Sequence, residues 1–326
     1  MAKVVVTGGG GFLGRALCAR LIADGHLVFS VARSEYPTLS AMGVTTIRLD
    51  ITSDFSKLKD IFSGAEVVFH TAAKVEMWGK PNDFFSINVE GSRNVIKACL
   101  ECGVPDLVFT SSPSVISGGA TLRNANEEVP YPARFLAEYP RTKALAEQAV
   151  LSANSAVLRT VALRPHLIFG PGDTSLIRAV LEKARRGALV RIGSGENLVD
   201  FNYIDDCVEA HILAWRALDR NSAARGRAYF ISQGEPVKLW WWIDEVLKRS
   251  GLSPIEKRVP KAVAYGLAGI SEIIAALTGK EPRLTRFLVH EMASEHYFDI
   301  SAARRDLGYA PRYTVQQGLD LTFGTR

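Results

Sequence analysis

The sequence predicts an α/β fold, a doubly wound parallel sheet with a smaller C-terminal lobe. Three observations predict it. Short apolar runs alternate with helical patterns through the first half of the chain, a glycine-rich turn separates the first run from the first helix, and the alternation loosens after Arg164. Strands buried on both faces read as continuous apolar runs, and the helices between them cover those faces. Right-handed crossovers then wind the sheet outwards in both directions from its first strand.

In order, Val4–Val6 is the first strand and runs into glycines. Phe12–Asp24 carries apolar residues at helical spacing and stops at Gly25. Leu27–Ala32 is the second strand, Thr46–Leu49 a short third strand ending at Asp50, and Val67–His70 the fourth. Phe84–Glu101 reads as a long helix, Leu107–Thr110 as the fifth strand, Tyr139–Ala153 as a helix and Val157–Leu163 as the sixth strand. Period 2 or an unbroken apolar run separates the strands from the helices, whose apolar positions recur every three to four residues. This places the main domain at residues 1–165. The lobe at 166–326 opens on the Gly170-Pro171-Gly172-Asp173 turn. It holds helices at Leu176–Arg186, Asp205–Leu218, Trp241–Ser250, Ala262–Thr278 and Leu284–Met292, and a strand at Ala228–Ser232. Parts of this lobe are expected to return to the main sheet. The run Trp240-Trp241-Trp242 reads as helix packing.

The 326 residues are 47% hydrophobic and 22% charged, the balance of an ordinary globular protein. A net charge of +5 without a dense Lys/Arg block gives no reason to expect nucleic acid. It suits anionic small molecules or an acidic membrane surface. Four cysteines make no disulfide framework, and Cys99 and Cys102, at the end of a helix, read as packing thiols. No metal site is predicted. The chain opens on a strand without a charged-then-apolar leader, so a cytoplasmic location is expected. Ala262–Thr278 is the nearest approach to a spanning segment but carries Glu272. It is read as a buried or lid helix, with docking on lipid, a long-chain substrate or a partner subunit as the alternative; for the protein as a whole, peripheral membrane or pathway-enzyme association is in view.

The turn Thr7-Gly8-Gly9-Gly10-Gly11-Phe12-Leu13-Gly14 follows the first strand and opens the first helix. Gly8, Gly11 and Gly14 at this spacing let backbone approach a pyrophosphate, and the helix start at Phe12 and Leu13 aims free N–H groups at it. This is the Rossmann arrangement for a dinucleotide. At the end of the second strand an acid would bind the 2′-hydroxyl of NAD. Here Arg33 stands 19 residues past Gly14, and an arginine pairs with a 2′-phosphate instead. NADPH is therefore the expected cofactor, ahead of NADH. Asp50 and Ile51 after the third strand, and Ala72 and Ala73 after the fourth, would frame the rest of the nucleotide. Pro165 and His166 after the sixth would lie near the nicotinamide.

Tyr139 and Lys143 stand one helical turn apart and share a helix face. An ammonium beside a phenol favours the phenolate and makes it a usable acid–base group. The lysine can also reach the nicotinamide ribose. A serine at the end of the fifth strand would donate to the substrate oxygen. Ser112 is the first choice, ahead of Ser111 and Ser114. Together these residues predict a nicotinamide-dependent oxidoreductase acting on a carbinol or ketone.

Thr7–Gly14, Asn88–Val95, Thr110–Ser114, Tyr139–Lys143 and Arg164–Asp173 together resemble the extended short-chain dehydrogenase/reductase superfamily over nearly the whole chain. The segment Leu198–Asp206 is similar to its 3β-hydroxysteroid dehydrogenase branch. Tyr36–Val44, Trp78-Gly79 and Glu281–Leu288 are similar to bacterial reductases of that branch acting on 2-alkyl-3-oxoalkanoates in long-chain olefin biosynthesis. The resemblance implies NADPH-dependent interconversion of a 2-alkyl-3-keto acid and its 3-hydroxy acid, a lipid-like substrate, and often a homodimer. Sterol-4α-carboxylate dehydrogenation is the alternative. Nucleotide-sugar epimerases and dehydratases rank lower, because they usually pair NAD with an acid where Arg33 stands. A non-catalytic NADPH-binding regulator would not need Tyr139 and Lys143. Met77, Trp78, Phe84, Leu176, Tyr203 and Phe287 are candidates for the substrate wall.

Overall fold

Period-2 burial builds the core of the computed structural model, which describes residues 1–324. In β1 (Lys3–Thr7), Val4 and Val6 point into one apolar layer with Leu17 and Leu21, while Val5 points into the other with Leu58, Ile61 and Val95. The same two-sided burial explains why β2 (Leu27–Ala32), β4 (Val67–His70) and β5 (Asp106–Thr110) read as apolar runs. With β3 (Thr45–Arg48) and the strands Arg159–Pro165 and Arg227–Ile231 they form one seven-stranded sheet, parallel throughout. From one edge the order is β3, β2, β1, β4, β5, then Arg159–Pro165 and Arg227–Ile231.

Successive strands run outwards from β1 to β3 on one side, and β4 then starts the other side. The order reverses between β1 and β4, where both carboxyl ends open onto one crevice. Thr7 pairs in register with Val31 on one side and His70 on the other, so the glycine turn sits at that point.

The first helix, Phe12–Ala23, ends where Gly25 takes φ +82. The long helix contains a π-helical turn, Phe85–Glu90, between Pro81–Phe84 and Gly91–Cys102. The helix Phe55–Phe62, capped by Asp54, is additional to the sequence reading.

A second, four-stranded sheet joins Val237–Lys238, Leu198–Val199, His296–Phe298 and Leu122–Ala125. Segments thus cross the 165/166 boundary both ways: Arg227–Ile231 enters the main sheet, and Leu122–Ala125 joins the small one. This second crossing brings the loop after the serines against the chain around His296, since Leu122 pairs with His296. Trp240 and Trp242 are buried, with Trp242 stacked on Phe201 at 4.5 Å. Cys99 is buried and Cys102 partly so, and both are free thiols.

Candidate active site

The crevice between β1 and β4 is shaped by what its glycines exclude. Gly8 has φ +77, and a Cβ there would lie 2.6 Å from the Ala72 nitrogen. A Cβ on Gly14 would lie 2.3 Å from the Gly8 carbonyl oxygen. The Gly11 N–H closes the turn onto that same carbonyl at 2.9 Å. The helix begins at Phe12 without a side-chain cap on Gly11 and without an acid in its first turn. Its first N–H groups and positive end are therefore unspent, which is what a pyrophosphate requires. Leu13 anchors the helix in the core. The residues present fit a bound dinucleotide. Sequence reading missed Tyr36, whose ring fills the space a Cβ on Gly10 would need, at 1.9 Å.

Arg33 is exposed at the end of β2, and its carbonyl accepts from Arg48 Nε at 3.2 Å. Arg48 ends β3 in register with Ala32, so a second cation joins the first. Among the described residues neither arginine forms an ion pair. Asp50 is turned back on its own loop, accepting from the Thr52 N–H and hydroxyl at 2.9 and 2.7 Å. Ile51 is buried against Gly91, where a Cβ would meet its Cδ1 at 2.7 Å.

After β4, Thr71 donates twice to the Thr7 carbonyl, and Ala72 lies against Gly8, with Ala73 next in the loop. Asn88, buried in the π-helical turn, accepts from Lys74 N at 2.7 Å and donates to the Thr142 hydroxyl at 2.9 Å. It ties this loop to the helix Glu138–Ser152, which carries Tyr139 and Lys143.

Of the three serines, Ser112 meets Tyr139. The Ser112 hydroxyl caps the short helical turn Pro113–Ile116, lies 2.9 Å from the Ser114 hydroxyl, and hydrogen-bonds the Tyr139 phenol. Ser111 is buried, its hydroxyl has no partner among the described residues, and its N–H donates to the Leu163 carbonyl. Burial pushes the Tyr139 phenol above its usual range, the Ser112 hydrogen bond pulls it back, and the Glu291 charge adds to the rise. The expected lowering by Lys143 is absent here. Desolvation outweighs the other influences on the phenol, and the ammonium is directed elsewhere. Lys143 Nζ donates to the Thr110 carbonyl at 2.6 Å and sits 4.1 Å from the centre of the Phe109 ring. Burial brings Lys143 down to about 7, against an opposing pull from Glu147. Glu147 itself is held by Arg164 at 2.6 Å and by the Tyr131 hydroxyl at 2.6 Å.

Pro165 ends the adjacent strand, His166 follows it, and Leu167 beyond takes φ +40, a strained value for leucine. His166 is buried with Nε2 3.1 Å from His296 Nδ1, while His296 Nε2 faces the Glu291 carbonyl at 2.8 Å. A carbonyl only accepts, so His296 Nε2 is the donor to Glu291. Burial and the His296 ring keep His166 neutral. Glu291, His296 and His166 bring one side-chain donor or acceptor each within 4.8 Å. Glu291 and His296 were not foreseen, because only the small sheet brings the chain around 296 to a helix at 139. Of the proposed wall residues, Phe84, Tyr203 and Phe287 are buried in packing, Met77 is exposed, and Trp78 and Leu176 are partly buried.

The 3-beta hydroxysteroid dehydrogenase/isomerase family model matches residues 5–260. The chain belongs to this family. It is 43% identical over 321 residues to a 2-alkyl-3-oxoalkanoate reductase from Stenotrophomonas maltophilia (strain K279a), covering 97% of each. It is 32% identical to the mouse sterol-4-alpha-carboxylate 3-dehydrogenase, decarboxylating, covering 98% of this chain and 90% of that one. Among solved structures, MoeE5 in complex with UDP-glucose and NAD matches with TM-score 0.73 and 27% identity, over 99% of this chain and 97% of that chain. This member of the family is an NAD(P)-dependent oxidoreductase, and its fold is that of nucleotide-binding relatives.

Proposed function

We propose that this chain interconverts a 2-alkyl-3-oxoalkanoate and the 2-alkyl-3-hydroxyalkanoate with NADPH as the preferred coenzyme. The hydrogen bond between Ser112 and Tyr139, one helical turn from Lys143, carries the reaction class. Near-full-length likeness to a reductase of that substrate supports the substrate class. The glycine turn and the Phe12 helix start would hold the pyrophosphate, and Arg33 with Arg48 would hold the 2′-phosphate. When bound, the nicotinamide supplies the hydride that reaches C3. Tyr139 gives its phenolic proton to the C3 oxygen as that oxygen gains electrons, and Ser112 donates a hydrogen bond to the same atom. Lys143, titrating near neutrality, is suited to return a proton towards the phenolate. In the oxidative direction each transfer reverses.

The likeness to sterol-4-alpha-carboxylate dehydrogenases favours a second reading, because such substrates also place a carboxylate β to a carbinol. An NADPH-oxidation assay across long-chain 2-alkyl-3-oxoalkanoates, keto-sterols and UDP-sugars separates the readings. Turnover is expected with the first class. Turnover confined to either of the others overturns the proposal.

A further inference from the structure

The helix Lys261–Thr278 is built inside out for a globular protein. Ala264, Ala268 and Ala275 are its buried residues. The large apolar side chains point the other way: Val263, Leu267, Ile270, Ile273 and Ile274 are each more than half exposed, and Leu277 is 82% exposed. The sequence reading of a buried helix is corrected on this point. A helix apolar all round does not reveal which side packs, and here the small side packs. Single exposed leucines are ordinary, but a row of six on one helix is not.

Cations flank this row at both ends. Lys257, Arg258 and Lys261 lie at its start and Lys280, Arg283 and Arg286 at its end, all exposed. Of the nearby acids, Glu256 and Glu281 are exposed, while Glu272 is taken up by Arg286 at 2.7 Å. That ion pair, with Lys261 Nζ on the Ser294 hydroxyl at 2.7 Å, ties the helix along Arg286–Ala293. The helix has the length and composition to cross a bilayer, yet Ala264, Ala268 and Ala275 on one side are buried against protein. It is therefore placed to lie on a surface rather than to span it.

We propose that this face docks on an anionic lipid surface, with the apolar row entering the acyl boundary and the flanking cations meeting headgroup phosphates. Charge complementarity selects this occupant. A second copy meeting this face about a two-fold axis would bring the same cations against them. The docked helix packs on Arg286–Ala293, which carries Glu291, whose charge reaches Tyr139. Docking would thus hold the candidate active site one helix away from lipid.

The test is flotation of the full-length protein with phosphatidylcholine vesicles and with vesicles of phosphatidylcholine mixed with phosphatidylglycerol. The wild type is expected to float with the mixed vesicles, in a salt-sensitive manner. The triple variant Leu267→Ser, Ile270→Ser, Ile274→Ser is expected to bind weaker by on the order of a hundredfold. Lys280→Glu with Arg283→Glu is expected to lose roughly tenfold or more on the mixed vesicles only. The altered side chains are exposed, so thermal unfolding should be unchanged. Three results would each overturn the proposal: a wild type that stays unbound, equal binding to neutral vesicles, or a lipid-free dimer that the triple substitution splits.

Discussion

Replacing Lys143 by methionine should make the cofactor-free protein more stable while removing its activity. The ammonium is buried, and burial brings it from its ordinary 10.5 down to about 7. At about 1.4 kcal/mol per pH unit, that corresponds to an upper bound of ~5 kcal/mol against the fold. Methionine keeps the length and apolar stem but leaves the Thr110 carbonyl without its partner, which costs ~1–3 kcal/mol. The balance is a gain of ~2–4 kcal/mol. Its pH dependence has a definite sign. Below about 7 the lysine is charged in both folded and unfolded chains, and the full cost is present. Between about 7 and 10.5 the unfolded chain binds the extra proton, so wild-type stability rises with pH and the gap closes. For a chain of 326 residues, 1 kcal/mol is worth roughly 1.5 °C in Tm. Thermal unfolding without nucleotide should therefore show Lys143→Met melting ~3–6 °C above wild type at about pH 6, with the difference gone or reversed by about pH 10. A variant less stable than wild type at pH 6, or a gap that ignores pH, would refute the reasoning.

Arg33→Ala should lower the NADPH-to-NADH ratio of kcat/KM by roughly tenfold or more, and removing Arg48 as well should lower it further; an unchanged ratio would remove both arginines from the coenzyme site. Glu291→Gln deletes the charge that pushes the Tyr139 phenol up. The pH at which carbinol oxidation rises should then move down, and a profile that stays or moves up would contradict that coupling. Gly14→Ala forces a Cβ to 2.3 Å from backbone and should abolish dinucleotide binding in a fluorescence titration. Tight binding by that variant would mean the turn is not the pyrophosphate site.

The strands of the main sheet are legible in the chain because burial on both faces leaves unbroken runs such as Val4-Val5-Val6 and Val67-Val68-Phe69. The small sheet is not, because its strands are two to four residues long and Leu122–Ala125 contains Arg123 and Asn124. That loss has a cost at the site: without this sheet nothing links His296 and Glu291 to Tyr139. The glycine turn, Tyr139, Lys143 and Ser112 are readable because their chemistry depends on local spacing. Arg48 and Tyr36 escaped notice for the opposite reason. Arg48 comes beside Arg33 through its register with Ala32, and Tyr36 meets Gly10 through packing. The phenol's acidity was also misjudged from spacing alone, since burial and the Thr110 carbonyl, invisible in sequence, decide how the ammonium is used.

Proton transfer by the Tyr139 hydroxyl is decided by comparing Tyr139→Phe with wild type in NADPH-dependent turnover of a long-chain 2-alkyl-3-oxoalkanoate. Tyr139→Phe should lower kcat by on the order of 10²–10⁴ with NADPH affinity unchanged. A Tyr139→Phe enzyme that turns over at the wild-type rate would contradict it.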